Sequence, residues 1–289
     1  IDMYCKCGLL GSAHMTFDDA KQRGVVTWNT LITGLLQNGK SEEAMALFSE
    51  MYAYALEMDE VTFLSTIQAC SNLGYIRKGK WIHHKMITSG MRKDMYIDTA
   101  LIDMYAKCGD LQIARKVFDS MLERSVVSWS TLLGAYGMHG QVDAAILVFK
   151  EMVESGIRPN TITFMNILSA CSHAGNLEEG KEFFNSMRND FGIEPNSEHY
   201  ACLVDLLSRA GDLNGAYSVI LSMSSPVDAS IWAALVNGCR IHQRMDVINS
   251  IRENLLNIRT DDTGYYTLLS NLYAGGGECG KFRMIRSTM

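Results

Sequence analysis

Seven histidines and eight cysteines are the residues of this 289-residue chain best able to hold a metal or act as nucleophiles. Their spacing points elsewhere. A structural zinc site takes close cysteine pairs such as C-x-x-C, and none occurs. Cys5 and Cys7 are separated by one residue, too tight for a zinc pair. His173 is the best placed histidine, yet no acidic residue follows two positions on. All seven histidines therefore read as surface or groove residues. The cysteines instead recur at one offset: Cys7 and Cys108 are 101 positions apart, and so are Cys70 and Cys171. They are expected to be buried free thiols at small apolar positions, consistent with a reducing compartment. No metal and no cofactor are expected.

The same offset runs through the chain. Ile1 to Gly8 returns as Ile102 to Gly109, with Cys5 replaced by Ala106. Residues 25–59 return as 126–160, and Gly79 as Gly180. A recurring offset of this kind denotes stacked repeats, each burying its apolar face on its neighbours. Within 126–160 the pattern predicts two helices. The first is expected from near Ser128 to about His139, with Gly140 breaking it. The second is expected from Val142 to Ser155, with Ala145, Val148, Phe149 and Met152 on one face. Gly156 is placed to cap it in the left-handed region, with Pro159 just beyond. The expected fold is all-α, an α-solenoid of stacked antiparallel hairpins.

This pattern resembles the pentatricopeptide repeat family, in particular its plant subclass that mixes P, L and S units of different lengths. Units 25–59, 60–94 and 95–125 together span the 101-residue offset. The resemblance implies a right-handed superhelix with a repeat array over 1–228. Its units are 1–24 (partial S), 25–59 (P), 60–94 (L), 95–125 (S), 126–160 (P), 161–196 (L) and 197–228 (S). Residues 229–289 then resemble E-type extension motifs, the first around 231–242 and the second around 264–274. The chain starts part-way through a unit and stops mid-motif, as a piece of a longer protein would.

The resemblance also implies a function. Single-stranded RNA lies along the first helices, one base per repeat, read by the fifth and last residues of a unit. These pairs are Asn29 with Asp59, Thr99 with Ser125, and Ser130 with Asn160. By resemblance the first prefers uracil, the second a purine and the third adenine. The second residues Val26, Val61, Tyr96, Val127 and Ile162 would sandwich bases, whereas Glu198 breaks that pattern. Lys6, Lys107 and Arg209, at the thirteenth position, would contact phosphate. The L-type units carry Leu64 and Met165 at the fifth position and cannot bond a base there; Ala201 with Asp228 is uninformative.

The extension motifs favour a specificity factor for C-to-U editing of RNA in a mitochondrion or chloroplast. A zinc deaminase needs His-x-Glu and C-x-x-C, so none is encoded here. It would come from a further segment or a deaminase-bearing partner in trans, alongside editing-complex proteins such as multiple organellar RNA editing factors. Transcript splicing or stabilisation is an alternative. So is a helical scaffold that binds only proteins, which the net charge of −6 favours. No run is apolar and long enough to span a membrane.

Overall fold

The computed structural model describes residues 1–91, 94–223, 227–244, 246–248 and 250. Described residues are helical or in turns, with no strand among them. The chain divides into two compact units, residues 1–139 with 150–157, and residues 140–149 with 158–289.

The first unit runs α1 (Asp2–Lys6), α2 (Leu10–Asp18), α3 (Val25–Gln37), α4 (Ser41–Ala53), α5 (Glu60–Leu73), α6 (Ile76–Thr88), α7 (Met95–Lys107), α8 (Leu111–Ser120) and α9 (Val126–Met138). Helix α10 (Val142–Glu154) is divided between the units. The second unit continues with α11 (Thr161–Ala174), α12 (Leu177–Asn189), α13 (Ser197–Arg209), α14 (Leu213–Ser222) and α15 (Ala229–Ile241). Odd-numbered helices pack side by side, α1 on α3, α5, α7 and α9 in turn, and α11 on α13 and α15. Even-numbered helices lie behind them, α4 against α3 and α5, for example. The short turns make each pair an antiparallel hairpin. A solenoid of stacked hairpins is thus the observed fold.

Local sequence explains where the helices start. Asp59, Ser125, Asn160 and Asn196 are N-caps that form capping boxes with the residue three positions on. Asp94 and Asp228 cap α7 and α15 through a single bond. This corrects the expected start of the first helix near Ser128. Ser125 is the cap, the helix starts at Val126, and Ser128 is the third helical residue, whose hydroxyl accepts from the Ser125 N–H at 3.0 Å. Gly140 and Gly156 adopt φ of +70° and +79°, the left-handed region that ends each helix.

A second device locks successive first helices at their C-terminal ends. Asn38 donates to the Cys5 carbonyl at 2.9 Å, His139 Nε2 to that of Ala106 at 2.7 Å, and His242 Nε2 to that of Arg209 at 3.0 Å. Each adds a bond to a carbonyl in the last turn of the preceding first helix, where those of Cys5 and Ala106 also accept from the Gly8 and Gly109 N–H groups.

The core follows the repeat. Phe17 meets Trp28 edge-on at 4.8 Å, and their equivalents Phe118 and Trp129 do the same at 4.6 Å. Ala145, Val148, Phe149 and Met152 are buried as the helical spacing predicts. In the second unit Phe149 packs on Phe164 and Phe183, and Phe191 adds to that cluster at 5.4 Å from Phe164. Phe191 belongs to the segment where residues 161–196 are one residue longer than 60–94.

The cysteine expectation needs correction. Cys5, Cys70, Cys171 and Cys239 are buried and free, but Cys7 is exposed and Cys108 and Cys202 are half-buried. Cys7 is the C-cap residue of α1, and its counterpart Cys108, the C-cap residue of α7, donates its thiol to the Cys70 carbonyl of α5 at 3.7 Å. Burial pushes the Cys70 and Cys171 thiols up to about 12, which keeps them protonated and unreactive. The histidine expectation also fails at one place. His199 is fully buried in the first turn of α13, with Nδ1 against Asn196 and Nε2 donating to the Thr161 carbonyl at 2.9 Å. Its pKa is lowered because burial disfavours the cation more than that bond favours it. The second extension motif, 264–274, lies outside the described residues.

Candidate nucleic-acid interface

The clearest site lies between α3 and α5 in the first unit. Asn29 projects from the second turn of α3 and is buried, which an amide tolerates only when bonded. Its Nδ2 donates to Asp59 Oδ1 at 2.7 Å, and Thr62 Oγ1 lies 2.8 Å from its Oδ1. Asp59 Oδ1 also accepts from the Thr62 backbone N–H at 2.9 Å. Burial pushes the Asp59 carboxyl up, but the Thr62 backbone and hydroxyl bonds and the Asn29 amide outweigh it, so its pKa is lowered. These bonds converge on Oδ1, and Oδ2 takes part in none of them. The pair is therefore fixed in geometry while one carboxylate oxygen is directed elsewhere.

This pair lies in a cleft of about 310 Å³, open on one side, whose walls include Val26 and Val61. Both valines are exposed, at 76% and 48%, although apolar. Tyr96, Val127 and Ile162 occupy the same place in the first turn of α7, α9 and α11 and are also exposed. Glu198, in α13, is exposed too, but charged. The solvated valines of this cleft suit a planar ring, which gains from apolar walls and leaves its polar edge to the Asn29–Asp59 pair.

The other expected readers are placed differently. Thr99 donates to the Met95 carbonyl at 2.7 Å, and Ser125 caps α9, so neither bonds the other. Ser130 is buried in α9. Asn160 Oδ1 accepts from the Thr163 N–H and hydroxyl, each at 3.0 Å, as the cap of α11. Asp59, Asp94, Ser125, Asn160, Asn196 and Asp228, each expected to end a repeat, thus cap the first helix that follows, a role that sequence spacing alone did not reveal. Leu64 and Met165 are half-buried. A second cleft, of about 340 Å³ in the second unit, is lined by Met165, Ser169, Glu198, Ala201 and Asp228 among others. The small Ala201 side chain leaves this room.

The three expected phosphate contacts are all paired. Lys6 bonds Asp2, Lys107 bonds Asp103, and Arg209 bonds Asp205, each at 2.8 Å. The acid stands four residues before the cation, a signal present in the sequence and missed because only the thirteenth position was read. Among the described residues no group of His, Cys, Asp and Glu could hold a metal ion, and no helix is long and apolar enough to cross a membrane.

Comparison with known proteins converges on one family. The PPR repeat family model matches residues 23–72 and 124–172, and the PPR repeat model matches 1–25, 61–91, 99–126 and 162–190. The chain is 43% identical to the Arabidopsis thaliana pentatricopeptide repeat-containing protein At1g06140, mitochondrial, over 100% of its own length and 52% of the relative's. It is 38% identical to At1g11290, chloroplastic, from the same plant, over 100% of this chain and 36% of that protein. The chain thus spans between about a third and a half of these relatives. In fold it is similar to the crystal structure of the pentatricopeptide repeat protein PPR10 in complex with an 18-nt psaJ RNA element. That match has a TM-score of 0.72 at 19% identity and covers 100% of this chain and 43% of the other.

Proposed function

Because this chain belongs to the pentatricopeptide repeat family, we propose that it binds single-stranded RNA along its first helices and reads bases one per repeat. The observation that carries this reading is the cleft between Val26 and Val61, with the Asn29–Asp59 pair at its floor. A base entering it stacks on the valines and meets the pair with its edge. The fold is shared with a protein crystallised on RNA, which supports the same use. Asn29 with Asp59 reads uracil, and Ser130 with Asn160 reads adenine. Thr99 with Ser125 reads a purine. Val127, Tyr96 and Ile162 stack on neighbouring bases.

Residues 1–228 serve as P, L and S units, and α15 opens the first E-type extension motif. In that role the chain selects the site for C-to-U editing, and a deaminase-bearing partner performs the chemistry. Relatives named for the mitochondrion and the chloroplast support an organellar setting. A protein-binding scaffold is the second reading, favoured by the half-buried Leu64 and Met165 at fifth positions and by the net charge of −6.

The test is selection from a randomised single-stranded RNA pool. Uracil should be enriched at one position and adenine three nucleotides downstream, with no cytidine converted by the purified chain. Absence of any binding at low salt would leave the scaffold reading in its place.

A further inference from the structure

The thirteenth-position cations never stand alone. Helices α1, α7 and α13 carry an aspartate at the ninth position of the repeat and a cation at the thirteenth: Asp103 with Lys107, Asp205 with Arg209, and Asp2 with Lys6, which match Asp103 and Lys107 at the 101-residue offset. The other five described first helices have neither an acid at the ninth position nor Lys or Arg at the thirteenth; Thr33 with Gln37 and Gln68 with Asn72 are examples. On α1 and α3 these positions border the cleft around Asn29, through Asp2, Thr33 and Gln37, and Asp103, Lys107, Asp205 and Arg209 hold the same register on α7 and α13. The carboxylate and the cation therefore meet whatever lies there.

In two of the three pairs the carboxylate is anchored a second time, from the preceding first helix. Ser71 in α5 donates to Asp103 Oδ2 at 2.9 Å, and Lys107 donates to the same oxygen at 2.8 Å. Ser172 in α11 donates to Asp205 Oδ2 at 2.5 Å, and Arg209 donates to the same oxygen at 2.8 Å. The two serines are buried, so the anchors are fixed. One triad lies in each compact unit, so the arrangement recurs independently.

Resting on the RNA-binding reading, we infer that Asp2, Asp103 and Asp205 are positioning residues that cancel the charge of Lys6, Lys107 and Arg209. The α1, α7 and α13 repeats then offer an RNA strand a neutral patch. Lysine can swing toward a phosphate, but its carboxylate partner stays, held by serine. Both lie well within the screening length of about 8–10 Å in ordinary salt, so the phosphate meets their sum. Binding consequently depends on base contacts at repeats such as 25–59, and non-specific attraction for RNA is suppressed. This agrees with the acidic balance of the chain.

The experiment is a salt titration of binding to poly(U)-containing single-stranded RNA by the parent chain and by Asp103→Asn, Lys107→Met and the double variant. Asp103→Asn uncovers a cation. It should steepen the dependence of log affinity on log salt by about 0.7 and tighten binding about fivefold at 0.1 M salt. Lys107→Met uncovers a carboxylate and should weaken binding by about the same factor. The double variant should return to the parent's affinity and slope. Ser71→Ala, which leaves the charge unchanged, should keep the parent's slope. A double variant as weak as Lys107→Met, with Asp103→Asn unchanged, would overturn the inference and leave Lys107 as a simple phosphate contact. Retention of the same variants on heparin reads the charge without RNA. Later elution of Asp103→Asn is expected, and co-elution with the parent would overturn the inference. A chain that passes on heparin but binds no RNA would instead remove the RNA reading beneath it.

Discussion

Helices α3 and α7 occupy equivalent places in the stack and present opposite chemistry to the groove. On α3, the polar side chains are uncharged: Asn29 is buried and bonded to Asp59, and Thr33 donates to or accepts from Ser65 at 3.0 Å. On α7, Thr99 turns back on its own helix and the groove-facing charges are an ion pair, Asp103 with Lys107. The α3 arrangement leaves directional groups for a ligand's edge. The α7 arrangement satisfies its own groups and offers little direction. Repeats of one backbone can thus present either open polar groups or an ion pair at the same face, through the choice of three or four side chains on one helix.

The largest expected effect lies beneath the readers. Trp28 and Trp129 bed α3 and α9, the helices proposed to read bases, on Phe17 and Phe118. Trp129→Ala should destabilise its repeat by about 3–5 kcal/mol, measured by hydrogen exchange across α8 and α9, because a stacked array need not unfold as one step. Loss of less than 1 kcal/mol would mean that α9 is held by its neighbours instead.

Next comes the reading itself. Asn160→Asp keeps the Oδ1 that caps α11 but replaces the amide with a second oxygen. Adenine N1 accepts a bond and guanine N1 donates one, so preference at a single nucleotide should move from adenine toward guanine. By analogy with base contacts in DNA, the shift is about 1–3 kcal/mol. Competition between RNAs that differ at that base alone measures it. An unchanged ratio would place the reader elsewhere and redraw the register.

A smaller effect separates α13 from the other first helices. His199 is buried neutral, and its pKa is below the ordinary value of 6.5. The unfolded chain binds the proton more readily, so this contribution is complete above pH 6.5 and is lost as pH falls from there through the lower folded value. Melting curves should show the second unit losing stability on mild acidification, and His199→Gln should flatten that dependence.

The smallest effect concerns Asp59. Its pKa is lowered from 3.8, so its stabilising bonds are complete above that value and are lost as pH falls through the lower folded one. Between pH 5 and 7 the Asn29–Asp59 pair should be insensitive to pH, and NMR titration of the carboxyl carbon checks this. A midpoint above 4 would show that the bonds to Thr62 and Asn29 do not hold the anion.

Much of this molecule was set by the linear sequence, because its order is local. The glycines that end helices and the spacing of Ala145, Val148, Phe149 and Met152 depend on neighbours within a few turns, and the 101-residue offset repeats that local order along the chain. They fixed the stacked-hairpin fold and the register of residues such as Val26 and Asn29. Contacts between residues about 33 positions apart could not be read that way. Only packing of one first helix on the next decided that Asn38, His139 and His242 would bond the carbonyls of Cys5, Ala106 and Arg209, or that Ser71 would reach Asp103. Burial likewise separated His199 from the exposed His139, and Cys5 from the exposed Cys7, although their residue types are identical. The physical reason is common to all of these. Helix formation is decided within a turn or two of chain, whereas the solvation and pairing of a side chain are decided by whichever helix is stacked above it.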